Sequence, residues 1–160
     1  MSNSNTDLAR WLVRPVVAAD RPTWSQLFRS YADFYHRELT DQQLDTVWRW
    51  ITEDRLMSAL VVVASDGTGV PVGIAHLRTW IRPLRATING YLDDLFVDPE
   101  FRGTGAVDAL FRAIEEQARA QDWDVVRWTT ADDNHRARSV YDKVATRTMW
   151  ITYDLTPGAS

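Results

Sequence analysis

With 160 residues, a hydrophobic share of 45% and a net charge of −4, the chain has room for one domain with a sizeable core, since a domain near this size buries roughly two-thirds of its unfolded surface. The sequence contains no cysteine, which excludes a disulfide framework, a thiolate nucleophile and a cysteine-based zinc site, and the mildly acidic balance argues against a general nucleic-acid surface. No apolar run reaches the length of a membrane span, and the start from Met1 to Asp7 lacks a charged-then-apolar secretory pattern, so the expectation is a soluble cytoplasmic protein that binds neither membrane nor nucleic acid.

Taken in chain order, Trp11 to Val17 reads as a first strand. Asp20 and Pro22 then open a helix that places Trp24, Leu27, Phe28, Tyr31 and Phe34 or Tyr35 at helical spacing. Thr40 with Gln43 three residues later forms a capping box ahead of Leu44, Val47, Trp48 and Ile51. Beyond this second helix the period changes: Ala59 to Ala64 is a buried strand, Asp66 to Gly69 a turn, and Val72 to Trp80 an alternating antiparallel partner.

Thr87 to Val97 is the next strand, and it carries two acids, Asp93 and Asp94. It leads through Asp98-Pro99 into Arg102-Gly103-Thr104-Gly105, after which Val107, Leu110, Phe111, Ile114 and Ala118 recur as one apolar helical stripe. A strand over Val125 to Thr130, a short helix over Asn134 to Lys143 and a last strand over Met149 to Leu155 complete the order β-α-α-β-β-β-α-β-α-β. No linker, repeat or low-complexity segment interrupts it. The expectation is a single domain over residues 1–160, α/β (α+β) in class, with short flexible tails at about 1–9 and 156–160.

Chemistry concentrates in the second half. Glycines ahead of a helix let a bulky anion approach N–H groups that have no intrahelical acceptor and sit at the positive end of the dipole. The loop is not a dinucleotide fingerprint, because the third glycine position falls on Asp108, and no Gly-Lys-Ser/Thr follows to make a nucleotide P-loop. Two glycines alone can equally be a turn that only redirects the chain. Asn134, Ala137 and Tyr141 stand at i, i+3 and i+7 and share one face of their helix, although a helix cap and a core aromatic would leave the same trace. Asp93 and Asp94, adjacent in a strand, are expected on opposite faces, and a carboxylate in an apolar sheet is costly enough to mark a site. Ion pairing with Arg82 or Arg85 is the structural alternative. The histidines His36, His76 and His135 fit no metal spacing, so no metal is expected.

The order of acid-bearing strand, Leu95-Phe96-Val97-Asp98-Pro99, Arg102-Gly103-Thr104-Gly105 and Asn134 to Lys143 resembles the GCN5-related N-acetyltransferases, the GNAT superfamily. Tyr91-Leu92-Asp93-Asp94-Leu95 is loosely similar to the matching strand of the diamine and thialysine acetyltransferases. The resemblance implies a mixed, mostly antiparallel central sheet with helices on both faces. It also implies acetyl-CoA as co-substrate, a homodimer, and direct acetyl transfer to a primary amine of a small cationic substrate, polyamine or amino-acid-like.

By the same resemblance, Leu95, Phe96 and Val97 pair with the pantetheine arm. Arg102, Gly103, Thr104, Gly105, Ala106, Val107 and Asp108 surround the pyrophosphate, and Asn134 contacts the cofactor arm. Asp93 holds the amine and takes its proton, Asp94 assists in substrate binding, and Tyr141 protonates the leaving thiolate. The chain departs from the family pattern at Val107, where Gly or Ala is usual, and at Ala145-Thr146 in place of Gly-Phe. These departures leave two other readings open: an acyl-CoA-binding module with little or no transfer activity, and an acetyltransferase of proteins or peptides.

Overall fold

The computed structural model describes residues 10–158. The tail expected at residues 1–9, and the last two residues of the one expected at 156–160, lie outside the described residues. The chain divides into two compact units, one ending at Thr129 and one beginning at Thr130.

In the first unit, β1 (Trp11–Pro15), β2 (Ser58–Ala64), β3 (Pro71–Arg82), β4 (Thr87–Val97) and β5 (Val126–Arg127) form one sheet in the order β1-β2-β3-β4-β5. All pairs are antiparallel except β4 with β5. Helices α1 (Arg21–Phe34) and α2 (Asp41–Thr52) follow β1, and α3 (Ala106–Ala120) follows β4. This is the expected mixed, mostly antiparallel architecture. The capping box forms as read: the Gln43 N–H donates to Thr40 Oγ1 at 3.2 Å, and the Thr40 N–H donates to Gln43 Oε1 at 2.9 Å.

Both faces of the sheet are covered, which is why β2 reads as an unbroken apolar run. Leu60 and Val62 join Ala75, Leu77, Leu92 and Val97 in a cluster against Leu110 and Ile114 of α3. Val61, Val63, Ile74 and Phe96 face the other way, against Trp24 and Leu27 of α1 and Leu44 of α2. Each fully buried Leu, Ile or Val side chain contributes about 1.5–3 kcal/mol, so the α1 and α3 stripes hold their helices to opposite faces of one sheet.

Three expected elements differ. β1 stops at Pro15 rather than Val17, because Ala18–Asp20 already curls into a 3₁₀ turn. β5 is paired only over Val126–Arg127 rather than Val125 to Thr130. In the second unit, α4 (His135–Val144) forms, but Met149 to Leu155 is not a strand among the described residues. Alternation of apolar residues is only half of what makes a strand. The other half is a partner for its backbone N–H and C=O groups, and no ladder of the sheet includes these residues.

The turn after β1 is locked by charge. Asp20, 4% exposed, accepts from Arg14 at 2.6 and 2.9 Å and from the Val17 N–H at 2.8 Å. The Arg14 hydrogen bonds hold its carboxyl below the usual carboxylate range, against the opposing effect of burial. A depressed folded value means that the stabilisation is fully present above the ordinary carboxylate value of about 3.9 and is lost as pH falls through the folded one. Asp20→Asn is expected to cost about 1–3 kcal/mol at pH 7, with the difference from wild type shrinking below about pH 4. Urea denaturation at both pH values checks it; a constant difference would show that the carboxylate charge is not what stabilises the turn.

Candidate functional site

The glycine loop has a backbone that an anion could approach. Gly103 and Gly105 both take left-handed φ, 75° and 91°, a conformation that only glycine adopts without strain. An added Cβ on Gly103 would meet no atom within 4 Å, so the space beside it is open. The first bond into α3 runs from the Ala109 N–H to Gly105 O at 3.0 Å. Helix geometry therefore leaves the N–H groups of Ala106, Val107 and Asp108 without an intrahelical acceptor. Val107 packs its side chain against the α3-side core, so its branched carbons are drawn toward the interior while its N–H stays with the helix start.

Side chains around the loop hold it in place. Trp11 Nε1 donates to Thr104 O at 2.7 Å, and Thr104 Oγ1 donates to Phe101 O at 2.5 Å. Thr104 thus uses both its carbonyl and its hydroxyl within the fold. Arg102 donates from Nε to Val97 O at 3.2 Å, with its guanidinium 5.7 Å from the Phe96 ring centre. The Trp11 anchor was not legible in the sequence, because nothing in residue spacing links positions 11 and 104.

Beside the loop, β4 offers backbone groups. On the side away from β3 it pairs with β5 only at Gly90 and Tyr91, so among the described residues no strand covers Leu95, Phe96 and Val97 there. An open edge of this kind can take an extended amide-bearing chain as an added strand.

At the acids the structure departs from expectation. The β3–β4 register shifts between His76 and Leu77: His76 faces Asp94, Leu77 faces Leu92, and Asp93 is the extra residue of a bulge. Asp94 Oδ2 lies 2.8 Å from His76 Nδ1, while Asp93 is ion-paired with Arg78 Nε, 3.1 Å from Oδ1 and 2.9 Å from Oδ2. His76 and Arg78 are two apart on β3 and share a face, so both carboxylates serve the α1 side rather than opposite sides. Arg78, not Arg82 or Arg85, is the ion-pair partner. The bulge explains this, because one extra residue cancels one step of alternation.

Asp93 is an electrostatically strained acid. Its Oδ2 is buried and lacks a partner in hydrogen-bond geometry. Burial raises its pKa above the ordinary carboxylate value, opposed by Arg78 and assisted by the charge of Asp94. Tyr31 of α1 is pushed upward from the usual tyrosine value, by burial first and then by Asp94. The aromatic side chains of α1, α2 and β3 divide. Trp48 packs into the core with Trp24, centroids 5.0 Å apart, Tyr31 meets the Phe96 ring at 6.2 Å, and Phe34 and Trp50 are exposed. Trp80 lies farther along the face, with Arg127 and Arg82 against its ring at 4.7 and 5.7 Å and Arg78 over Tyr91 at 4.4 Å. Residue spacing gives His76 and Arg78 no role at the acids, and only the strand pairing brings the two of them there.

In the second unit, Asn134 caps α4: its Oδ1 accepts from the Ala137 N–H at 3.3 Å, and its Nδ2 donates to Thr130 Oγ1 at 3.3 Å. Tyr141 lies on α4, half-buried. The helix ends with Ala145 in extended backbone, φ −148°, a conformation that makes no demand for glycine there. Among the described residues no group of three His, Cys, Asp or Glu could hold a metal ion, and no helix is long and apolar enough to cross a membrane.

Comparisons with known proteins agree with this fold. The chain is 24% identical over 144 residues to a D-amino-acid N-acetyltransferase of Saccharomyces cerevisiae, covering 90% of this chain and 89% of the yeast one. Among solved structures it superposes on a ribosomal-protein-alanine N-acetyltransferase from Brucella melitensis biovar Abortus 2308 with TM-score 0.73 and 20% identity, covering 91% of this chain and 98% of that one. It also superposes on an aminoglycoside N-acetyltransferase solved with CoA, TM-score 0.77 and 15% identity, over 91% and 94% of the two chains. The model of the acetyltransferase (GNAT) family matches residues 24–145, three-quarters of the chain and all of the loop and acid-bearing strand, and on that ground the chain belongs to the GNAT family and is an acetyl-CoA-dependent acetyltransferase.

Proposed function

We propose that the enzyme acetylates the primary amine of a small amino-acid-like substrate at the Asp93–Asp94 pair. The observation that carries this reading is the Asp93 carboxylate, whose buried Oδ2 meets Arg78 in an ion pair at 2.9 Å but has no partner in hydrogen-bond geometry, on a face that also holds Asp94. An ammonium supplies the hydrogen-bond donor that this oxygen lacks and the positive charge that the pair attracts. Arg78, Arg82 and Arg127 gather on the same stretch of sheet. They repel the further amines of a polyamine and attract a carboxylate. The name of the yeast relative, an enzyme of D-amino acids, supports the same choice.

Acetyl-CoA supplies a thioester carbonyl open to attack by a neutral amine. The N–H groups from Gly103 to Asp108, with Arg102, hold its pyrophosphate, and the uncovered edge of Leu95, Phe96 and Val97 takes the amide-bearing arm; Asn134 is assigned to that arm on its motif. An amine of pKa near 10.4 arrives protonated, so Asp93 accepts its proton before the C–N bond forms. A main-chain N–H of β4, that of Leu95 or Phe96, polarises the carbonyl oxygen. As the C–S bond breaks, Tyr141 gives its phenolic proton to the departing thiolate.

Thermal denaturation with added acetyl-CoA tests the donor half. At a hundred times Kd the ligand stabilises the native state by about 2.7 kcal/mol, an expected rise in Tm of about 5–10 °C for a chain of this size. A flat response would remove the donor site. Thiol release across D- and L-amino acids, polyamines and short peptides tests the acceptor half, with amino acids expected to give the highest kcat/KM. Preference for polyamines would overturn the arginine argument, and preference for peptides would favour a protein acetyltransferase.

A further inference from the structure

We propose that His76, held from behind by Trp24, is the positioning residue of the acceptor site: it fixes Asp94 by a hydrogen bond and thereby ties the state of the carboxylate pair to helix α1. This inference rests on the acceptor reading above and names a residue that the reading does not use.

The chain of contacts has one consistent proton arrangement. His76 is fully buried, with Trp24 Nε1 2.8 Å from its Nε2 and Asp94 Oδ2 2.8 Å from its Nδ1. An indole N–H can only donate, so Nε2 accepts and carries no hydrogen. The ring hydrogen is therefore on Nδ1, where it is donated to Asp94. A core position could be filled more simply by an aliphatic side chain, since burying an imidazole is favourable only when both nitrogens are bonded. Here one of the two bonds goes to a carboxylate of the site.

The ring is also clamped mechanically. Phe28 meets it edge-on at 4.8 Å, and Trp24 is fully buried between α1 and the sheet. Trp24, Phe28 and Tyr31 all belong to α1, so a shift of that helix on substrate binding would be passed through His76 to Asp94. The titratable and charged groups facing the pair are His76 and Arg78 on β3, and Tyr31 of α1 with Tyr35 beside it just past the end of that helix; Arg21 of α1 lies over the Trp24 ring at 5.1 Å.

Three variants separate positioning from packing. His76→Leu removes both hydrogen bonds, His76→Asn keeps an N–H donor near the position of Nδ1, and Trp24→Phe keeps the ring packing while deleting the indole donor. Nitrogen-15 spectra of the imidazole in the wild-type protein, assigned by loss of the signal in His76→Asn, are expected to show Nδ1 protonated and Nε2 bare. A ring protonated on Nε2 would overturn the proposal without any activity measurement. In kinetics, His76→Leu is expected to lower kcat/KM for the amine at least about tenfold with KM for acetyl-CoA unchanged. The acid limb of its pH profile should move to higher pH, because His76 is one of the groups that hold down the pKa of Asp93, the proposed proton acceptor. His76→Asn should return that limb toward wild type, and Trp24→Phe should give an intermediate shift. If His76→Leu does not fold, the other two variants still decide. Variants that lose Tm but keep the wild-type acid limb would reduce His76 to a packing residue, with amine acetylation left standing. A wild-type protein that acetylates no amine would instead remove the acceptor reading and the positioning role with it.

Discussion

Asp93→Asn is expected to lower kcat/KM for the amine by about 10²–10⁴, the range for loss of a positioned proton acceptor. The amide is nearly isosteric with the carboxylate but cannot take the ammonium proton, and its NH₂ presents a donor where the substrate also brings donors. Since Asp93 is only half-buried and its ion pair with Arg78 is partly exposed, the loss to folding is small, and Tm should stay within a few degrees of wild type. Acetyl-CoA should still raise Tm in the variant, because the cradle of Gly103 to Asp108 is untouched. The pH profile carries the sharper test. Burial raises the pKa of Asp93, so the acid limb of wild-type kcat/KM should fall above the ordinary carboxylate value of about 3.9. A variant that retains wild-type kcat/KM would transfer the base role to Asp94 or to a water chain.

Tyr141→Phe is the second large expected effect: a fall in kcat of about 10²–10⁴ with little change in KM for acetyl-CoA. The leaving thiolate has a conjugate acid near 8.5 and a tyrosine titrates near 10, so the phenol holds its proton at neutral pH and its transfer to the thiolate, uphill by about 2 kcal/mol, is completed as solvent returns a proton to the phenolate. Wild-type turnover should decline at alkaline pH as the phenol ionises, whereas the phenylalanine variant should be low throughout and lack that limb. The assignment stands on the spacing of Asn134, Ala137 and Tyr141 along one helix and on the family match that includes them. Turnover unchanged by the substitution across the pH range would show that solvent protonates the thiolate.

These two variants probe different halves of the reaction. In the proposed mechanism Asp93 acts before the new bond forms and Tyr141 as the old one breaks, so the effect of the first substitution should depend on the basicity of the amine and that of the second should not. A series of acceptors of graded pKa distinguishes them: the deficit of Asp93→Asn should shrink for less basic amines, which arrive already neutral, while that of Tyr141→Phe should be uniform.

Local signals in the chain determined most of the elements. The Thr40–Gln43 box, the stripe from Val107 to Ala118 and the Gly103–Gly105 pair each work within a few residues, through hydrogen bonds and dihedral limits that neighbours set for one another. The strand, loop and helix start proposed as the donor side were legible for the same reason, standing in immediate succession. What tertiary structure alone decided was the acceptor side. Alternation placed Asp93 and Asp94 on opposite faces until a bulge, set by pairing with β3, turned both toward α1. Likewise, an isolated histidine became the partner of an acid 18 positions away and of a tryptophan 52 positions away. A strand over Met149 to Leu155 was read from alternation that no neighbouring backbone completes. Pairing register and long-range hydrogen bonds depend on which segments meet, and residue spacing within one segment carries no record of that.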